Sequence, residues 1–204
     1  MNETTTFCYT RIKGSERDWQ PLLDRVNAES DPDVGIWGAW WGLFGMGSNE
    51  LVVMTTSDRG DHGARFTASV AKASGVIVEQ HLLTATARPT DTRQLTRPGL
   101  YVFRFFDVRN ADVDEIVALS TQAWTTFESS GSYQSQPQGL FCPSDRRSTR
   151  GVMLLCTWYD GLESWQTSRA PPPEAAANFR RRHLLTQGTI AYATRLIENG
   201  VGRR

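Results

Sequence analysis

The sequence has no excess of charge of either sign, and it has few cysteines and histidines. Its 204 residues carry 22 basic and 22 acidic side chains, so nothing indicates a polyanionic partner such as nucleic acid. No apolar run approaches the roughly 18 residues of a membrane span. The three cysteines stand at unrelated spacings, which predicts buried thiols in a reducing cytoplasm and no metal site; they are Cys8, Cys142 and Cys156.

Several well-known catalytic and nucleotide-binding motifs are also missing. There is no Gly-x-Gly-x-x-Gly after a strand, no Walker loop, no Gly-x-Ser-x-Gly elbow and no His-Glu-x-x-His, so the reactions that depend on them are not expected. The residues after Met1 form neither a basic nor an apolar region, so we expect no secretory signal. We therefore predict a cytoplasmic protein without a nucleic-acid or membrane partner, either a monomer or a homodimer.

The most informative stretch covers residues 151–169. An apolar run at residues 152–159 ends in aromatic side chains and is too short for a typical helix, so it predicts a strand buried on both faces. Asp160 and Gly161 end this strand, and Leu162 begins a helical pattern. The sequence therefore predicts a strand that leads directly into a helix.

The first half of the chain predicts the order strand, helix, strand, strand, helix, strand. Ser-Glu-Arg-Asp at residues 15–18 resembles a capping box before the first helix, which ends near Asp31. Gly75 is the expected stop of the second helix, at residues 62–74. The four strands are expected at residues 5–13, 34–46, 50–56 and 76–86.

The second half predicts the same order, with Asn110 as the cap of its first helix. Gly-Leu-Phe occurs at corresponding places, at residues 42–44 and 139–141. Each half then forms a ferredoxin-like βαββαβ unit. We predict an α+β fold in which two such units pack sheet to sheet, with the boundaries 1–87, a linker at 88–98, 99–198 and a tail at 199–204.

Tryptophan is unusually frequent, with seven in the chain, and this points to a candidate binding site. Flat side chains that line a cleft bind flat apolar ligands well. Trp124 lies on the inner face of a predicted helix, and Trp158 and Tyr159 end a central strand, so all three are candidates for lining one cavity. The alternative is that they only fill the core. Trp40 and Trp41 are adjacent in a strand and should face opposite sides.

Few side chains are candidates for proton transfer. His183 follows Phe179 by four residues and shares its helical stripe, where it could act as a general base, ligate a metal or form a structural hydrogen bond. His81 alternates with Glu79 in a strand, which predicts a carboxylate neighbour or a polar face. His62 is expected to be exposed to solvent.

Arg104 stands in an otherwise apolar strand, where its burial requires an anion or a carboxylate. It could form a structural ion pair with Asp107 or Asp160, or it could anchor a substrate carboxylate or enolate.

Two tyrosines complete the candidates for substrate binding. Tyr101 and Tyr192 lie on strands that we predict to be neighbours. Three consecutive arginines, at residues 180–182, point in different directions on a helix and predict a solvated face more than a phosphate site.

The element order, together with Tyr101-Val-Phe-Arg104 and Trp158-Tyr-Asp-Gly-Leu162, resembles the NIPSNAP family of the dimeric α/β-barrel superfamily. As a motif, the resemblance is confined to residues 99–197, because the first half lacks both sequences. The resemblance implies the fold, but it says little about the reaction. Neighbouring families in the superfamily include cofactor-independent antibiotic-biosynthesis monooxygenases, EthD-like proteins and haem-binding chlorite-dismutase-like proteins.

The aromatic residues and this resemblance together favour an enzyme that acts on a flat aromatic or polyketide-like substrate. A monooxygenase without a tightly bound cofactor is the leading hypothesis, with His183 as base, Arg104 stabilising the enolate, and Trp124 and Trp158 holding the ring. One alternative is a non-catalytic module that binds a hydrophobic ligand or a protein. Another is a haem protein ligated through His183, whereas flavin is not indicated.

Overall fold

The structure is a computed structural model that describes residues 5–29 and 31–198. The described residues form eight strands: β1 Thr6–Gly14, β2 Gly35–Phe44, β3 Glu50–Ser57, β4 Gly75–Arg88, β5 Leu100–Arg109, β6 Ser135–Pro143, β7 Arg150–Tyr159 and β8 Thr186–Leu196. They also form five α-helices: α1 Gln20–Ala28, α2 His62–Ser74, α3 Val113–Phe127, α4 Leu162–Thr167 and α5 Pro173–Leu184. The α+β class and the repeated βαββαβ order are confirmed, with the last helix of the second repeat divided into α4 and α5.

The described residues divide into two compact units. The first contains the residues up to Thr84, Asp91–Pro98 and the residues from Tyr192 onward, and the second contains Ala85–Thr90 and Gly99–Ala191. Both β4 and β8 therefore contribute residues to both units. The predicted domain boundaries follow chain order and stay a prediction, and the predicted tail at 199–204 lies outside the described residues.

The sheet of the first unit has the strand order β4-β1-β3-β2-β8, in which all neighbouring strands pair antiparallel. Helices α1 and α2 cover one face through a continuous apolar core that includes Ile12, Leu22, Val53 and Phe66. This arrangement follows from the period-2 alternation of the strands and the apolar stripe of each helix.

Two adjacent tryptophans of β2 face opposite sides, as predicted. Trp41 stacks on Trp19 beside α1, with ring centroids 6.5 Å apart. Trp40 is fully buried and lies against Trp37. A register shift between Ile36 and Gly38 lets Trp37 and Trp40 share a face although they are three residues apart.

The predicted capping box is wrong. Helix α1 begins at Gln20, and its N-cap Trp19 makes no side-chain capping bond. The Asp18 carboxylate instead accepts a hydrogen bond from the Gln20 backbone N–H, and the Ser15 hydroxyl bonds to the Ser74 carbonyl. The four residues thus form a turn before the helix, with tertiary contacts of their own.

The sheet of the second unit has the order β8-β5-β7-β6-β4, in which β7 pairs antiparallel with both β5 and β6. Strand β7 is buried from Met153 to Tyr159, as expected for a central strand. The prediction that β5 and β8 are neighbours is also confirmed. Helices α3 and α5 pack against each other and lie over the same face of this sheet.

The predicted capping role of Asn110 is wrong. Asn110 belongs to a short 3-10 turn before α3, and the N-cap of α3 is Asp112. The Asn110 amide donates to the Ser148 carbonyl at 2.7 Å, so it ties down the loop that precedes β7. None of the helices among the described residues is both long enough and apolar enough to cross a bilayer.

The three cysteines are free and buried, as the sequence predicted. Burial raises the pKa of all three thiols, most strongly for Cys156. Because the thiolate is the reactive form, we expect Ellman's reagent to label none of them in the native protein within minutes and all three in guanidinium chloride. Rapid labelling of a thiol in the native protein would contradict this burial.

Candidate active site in the second unit

A cavity of about 450 Å³ lies within the second unit, between the sheet and helices α3 and α5. This volume falls in the range of roughly 300–1,000 Å³ that is usual for small-molecule sites. Alternate residues of two strands form one wall, because period-2 alternation places them on the same face: Val102, Arg104 and Phe106 of β5, and Leu155, Thr157 and Tyr159 of β7. The helices supply Trp124, Phe127, Phe179, Arg182 and His183.

Aromatic rings form the apolar part of the cavity. Phe127 and Phe179 meet edge to face, with centroids 5.5 Å apart. Trp124 is 3% exposed, and the Arg88 guanidinium lies 5.0 Å from its ring centroid. Arg88 is itself fixed by a bidentate ion pair with Glu128, so the Trp124 ring is held in place.

Arg182 is the most deeply buried charge in the cavity wall. Its side chain lies between two phenyl rings, 4.9 Å from the Phe106 centroid and 4.8 Å from that of Phe179. Its Nη1 donates to the Ser120 hydroxyl at 3.1 Å. Burial, followed by the charge of Arg104, lowers the pKa of Arg182 to about 10. The prediction of a solvated face for residues 180–182 is therefore wrong for Arg182, although Arg180 and Arg181 are exposed.

Arg104 lines the same cavity from β5. Burial, followed by the charge of Arg169, lowers its pKa. Of the two alternatives for Arg104, the structural ion pair with Asp107 or Asp160 is not found among the described residues. For Asp107 the reason is that the two residues are an odd number of positions apart and so face opposite sides of the strand. Within the described part of the chain, Arg104 makes no ion pair with any carboxylate.

Tyr159 brings a hydroxyl to this group of cations. Burial raises its pKa, while the Ser168 hydroxyl and the charges of Arg104, Arg169 and Arg182 act in the opposite direction. Tyr159 is therefore a neutral donor that can orient a ligand oxygen.

His183 occupies the last turn of α5 and lines the cavity. Its side chain is exposed, and among the described residues no hydrogen-bond partner is found for the imidazole. The ring is therefore free to meet a ligand. Four of the predicted site residues, Arg104, Trp124, Tyr159 and His183, thus come together around one cavity.

The other three candidates lie elsewhere. Trp158 follows Thr157 and precedes Tyr159, so strand alternation turns it to the face opposite the cavity, where it pairs in register with Tyr101 of β5. Tyr192 belongs to the first unit, and its ring lies 4.6 Å from the Arg11 guanidinium. None of these three residues lines the cavity.

Phe179, Arg182 and Arg169 were missed as site residues. A signal existed for Arg182: Ala175, Phe179 and Arg182 follow each other at the helical spacings of four and three residues, which place them on one face. Because Arg182 is the last of three consecutive arginines, the three were interpreted together as a solvated face and this spacing was not used. Arg169 lies in the loop between α4 and α5, and no periodicity of the sequence could have indicated its position.

The histidines of the first unit have carboxylate neighbours. His81 Nε2 lies 3.0 Å from Glu79 Oε1, as the alternation predicted. The expectation of an exposed His62 is wrong, since it is half-buried with its Nδ1 4.0 Å from Asp31. Asp33 lies beside these two residues, but it already pairs with Arg59 at 2.9 Å. We interpret the group as an ion-pair cluster of the surface.

No protein-family model and no curated protein sequence matches this chain.

Solved structures with a similar fold are found at low sequence identity. An anthrone oxidase-like protein has a TM-score of 0.71 at 12% identity, covering 98% of this chain and 94% of that one. A mutant chlorite dismutase from Candidatus Nitrospira defluvii has a TM-score of 0.61 at 7% identity, over 97% and 93%. An uncharacterised ferredoxin-fold protein from Listeria monocytogenes, related to antibiotic biosynthesis monooxygenases, has a TM-score of 0.53 at 9% identity, over 97% of each chain.

At these identities the likeness concerns the fold alone, which is that of ferredoxin-like dimeric α/β-barrel proteins. Nothing in the comparisons points specifically to NIPSNAP.

The residues of the cavity do not fit a haem well. His183 is the one histidine among the described residues that line it. A ligating histidine almost always donates its other ring N–H to a partner that fixes its orientation, and no such partner of His183 is found among the described residues. We derive no step through haem.

Proposed function

We propose that this protein is a cytoplasmic small-molecule oxygenase that binds a flat aromatic or polyketide-like substrate in the cavity of its second unit. The observation that carries the proposal is the convergence of three kinds of group in one cavity: aromatic walls, guanidinium groups and an imidazole without a hydrogen-bond partner among the described residues. The comparisons support it to the extent that proteins of the same fold include an anthrone oxidase-like protein and a relative of antibiotic biosynthesis monooxygenases.

Each group has a role in the proposed reaction. Trp124, Phe127 and Phe179 hold the ring system, since aromatic walls bury a large flat area with few rotatable bonds. His183 is the general base that removes a proton from carbon or phenol. Arg104 stabilises the enolate oxygen, because a buried cation is most effective where negative charge develops.

With an anthrone as substrate, His183 takes a proton from the ring CH₂, and the resulting carbanion forms a C–O bond with O₂. The peroxide takes that proton back to give a hydroperoxide. Loss of the remaining C–H proton and cleavage of the O–O bond release water and leave a second carbonyl. One O₂ thus converts CH₂ to C=O plus H₂O, and the substrate supplies all four electrons, so the proposal assigns no bound cofactor to the protein.

The direct test is oxygen uptake with anthrone as the probe. We expect the full-length protein to consume one O₂ per anthraquinone formed, at a rate proportional to enzyme concentration and well above the buffer rate. The control is the same protein after heat denaturation. A rate no higher than this control, with anthrone and with hydroxylated anthrones, would overturn the proposed function.

The alternative of a non-catalytic module of the NIPSNAP type would be favoured by a sealed apolar cavity in which Arg104 is paired to a carboxylate. Among the described residues Arg104 makes no such ion pair, and the cavity wall carries four arginines. These observations favour a site that acts on a polar ligand.

A further inference from the structure

The cationic groups of the cavity stand out because no opposite charge accompanies them. Arg104, Arg169, Arg180 and Arg182 all line it, and none of the described lining residues is acidic. None of the four makes an ion pair with a carboxylate within residues 5–29 and 31–198. Elsewhere the chain pairs its arginines routinely, as with Arg88 and Glu128.

Arg182 is the clearest case of an uncompensated charge. It is 9% exposed, and of its five N–H donors the structure assigns one, to Ser120. Ser120 is already satisfied without it, because its hydroxyl donates to the Ile116 carbonyl at 2.7 Å. An uncharged side chain could fill the space between Phe106 and Phe179 without the desolvation of a charge. The folded chain thus offers this guanidinium two phenyl faces and one hydrogen bond, but no carboxylate among the described residues.

A second cation next to the first makes the arrangement still less favourable. Arg104 and Arg182 are close enough for the charge of Arg104 to lower the pKa of Arg182. Ionisable groups in a cleft whose pKa is shifted from its ordinary value are typical of functional sites. The attraction of an anionic ligand to both guanidinium groups would offset the desolvation of Arg182 and its repulsion by Arg104.

From this geometry we infer that the natural ligand is an aromatic carboxylate, whose carboxylate group is bound by Arg182 while its ring lies between Trp124 and Phe179 and its ring oxygen faces Arg104. The inference rests on the proposed function and defines the substrate class of that same site. The planar fork of arginine matches a carboxylate through two parallel hydrogen bonds. A phosphate ester is less suited, since Arg182 and His183 lie in the last turn of α5, where the helix dipole disfavours a dianion.

The test compares two probes of nearly equal shape, of which only the first is anionic, by isothermal titration calorimetry on the full chain: anthraquinone-2-carboxylate and anthraquinone-2-carboxamide. We expect the carboxylate to bind about 10- to 100-fold more tightly, as for hydrogen bonds to a charged group. Arg182→Gln should remove most of this preference, by weakening the binding of the carboxylate. Arg104→Gln should weaken the binding of both probes, because both carry the ring carbonyl oxygens. Arg181→Gln is the matched control, because Arg181 is the exposed neighbour that faces Glu115.

A melting experiment separates a ligand site from a structural role. Without ligand, Arg182→Met should melt no lower than the wild type, and the carboxylate should raise its melting temperature less. A large loss of stability in this variant, or equal binding of the two probes by the wild type, would overturn the inference. If the wild type binds the two probes equally and oxidises anthrone rapidly, the proposed function survives and only the anionic substrate class is wrong.

If neither probe binds and anthrone is not oxidised, the proposed function and the inferred substrate class are both wrong. Preferential binding of 2-naphthyl phosphate over both probes would replace the carboxylate with a phosphate ester.

Discussion

Replacing His183 with glutamine should lower kcat for anthrone oxidation by about 10²- to 10⁴-fold, the usual contribution of a general base, while KM changes little. Glutamine keeps much of the size of the side chain, but it cannot accept a proton at neutral pH. Because His183 is exposed, its removal should leave the melting temperature within about 2 °C, as for most surface substitutions. Oxygen-electrode kinetics at saturating and limiting anthrone give the two constants separately.

Chemical rescue distinguishes a base from a residue that only shapes the cavity. We expect imidazole in the buffer to restore part of the activity of His183→Ala, because the deleted ring leaves room at the exposed edge of the site. His62→Gln is the control, since it changes a half-buried histidine of the first unit. A kcat within twofold of the wild type for His183→Gln would remove His183 from the mechanism.

Gly99→Ala should destabilise the protein by about 3 kcal/mol or more, through backbone strain and overpacking together. Gly99 has a φ of +146°, which residues with a Cβ rarely adopt. A Cβ there would lie 2.3 Å from Trp158 Nε1 and 2.5 Å from the Tyr159 carbonyl oxygen. Neither group can move easily, since β7 is a buried central strand.

Urea denaturation followed by tryptophan fluorescence measures this loss of stability. Gly131→Ala is a matched control, because nothing lies within 4 Å of a Cβ built at Gly131. We expect the control to change the free energy of unfolding by less than about 1 kcal/mol. Equal stability of the two variants would mean that the start of β5 is not held against Trp158 as described.

The parts of the fold that local patterns determine could be predicted from the sequence. Helix α2 was placed at its observed bounds, because its apolar stripe is regular and Gly75 follows it directly. Strand β7 was recognised as central because its apolar run is continuous. Capping was predicted less well, since Ser15 and Asn110 form hydrogen bonds with residues far along the chain, Ser74 and Ser148.

The candidate site was predicted in part. As with the caps, much of what was missed depends on contacts between distant parts of the chain, which leave no local pattern. His183 and Trp124 were assigned to inner faces by helical spacing, and the structure places both on the cavity. Trp158 was placed beside Tyr159 although two adjacent strand residues cannot share a face. Whether Arg104 has a counter-ion depends on every element packed around it, so no local pattern could have indicated that it has none among the described residues.

The division of β8 between the two units has a consequence for how the chain is made. Strand β2 pairs with β8 through Trp40–Leu196 and Trp41–Arg195, so one edge of the first sheet has no partner until β8 has been synthesised. At the roughly 5–20 residues per second of translation, this delay is on the order of ten seconds. During that time the ribosome carries a nascent chain with an open strand edge that bears two tryptophans, which is the kind of surface that aggregates. A chaperone that covers this edge should therefore raise the yield of folded protein.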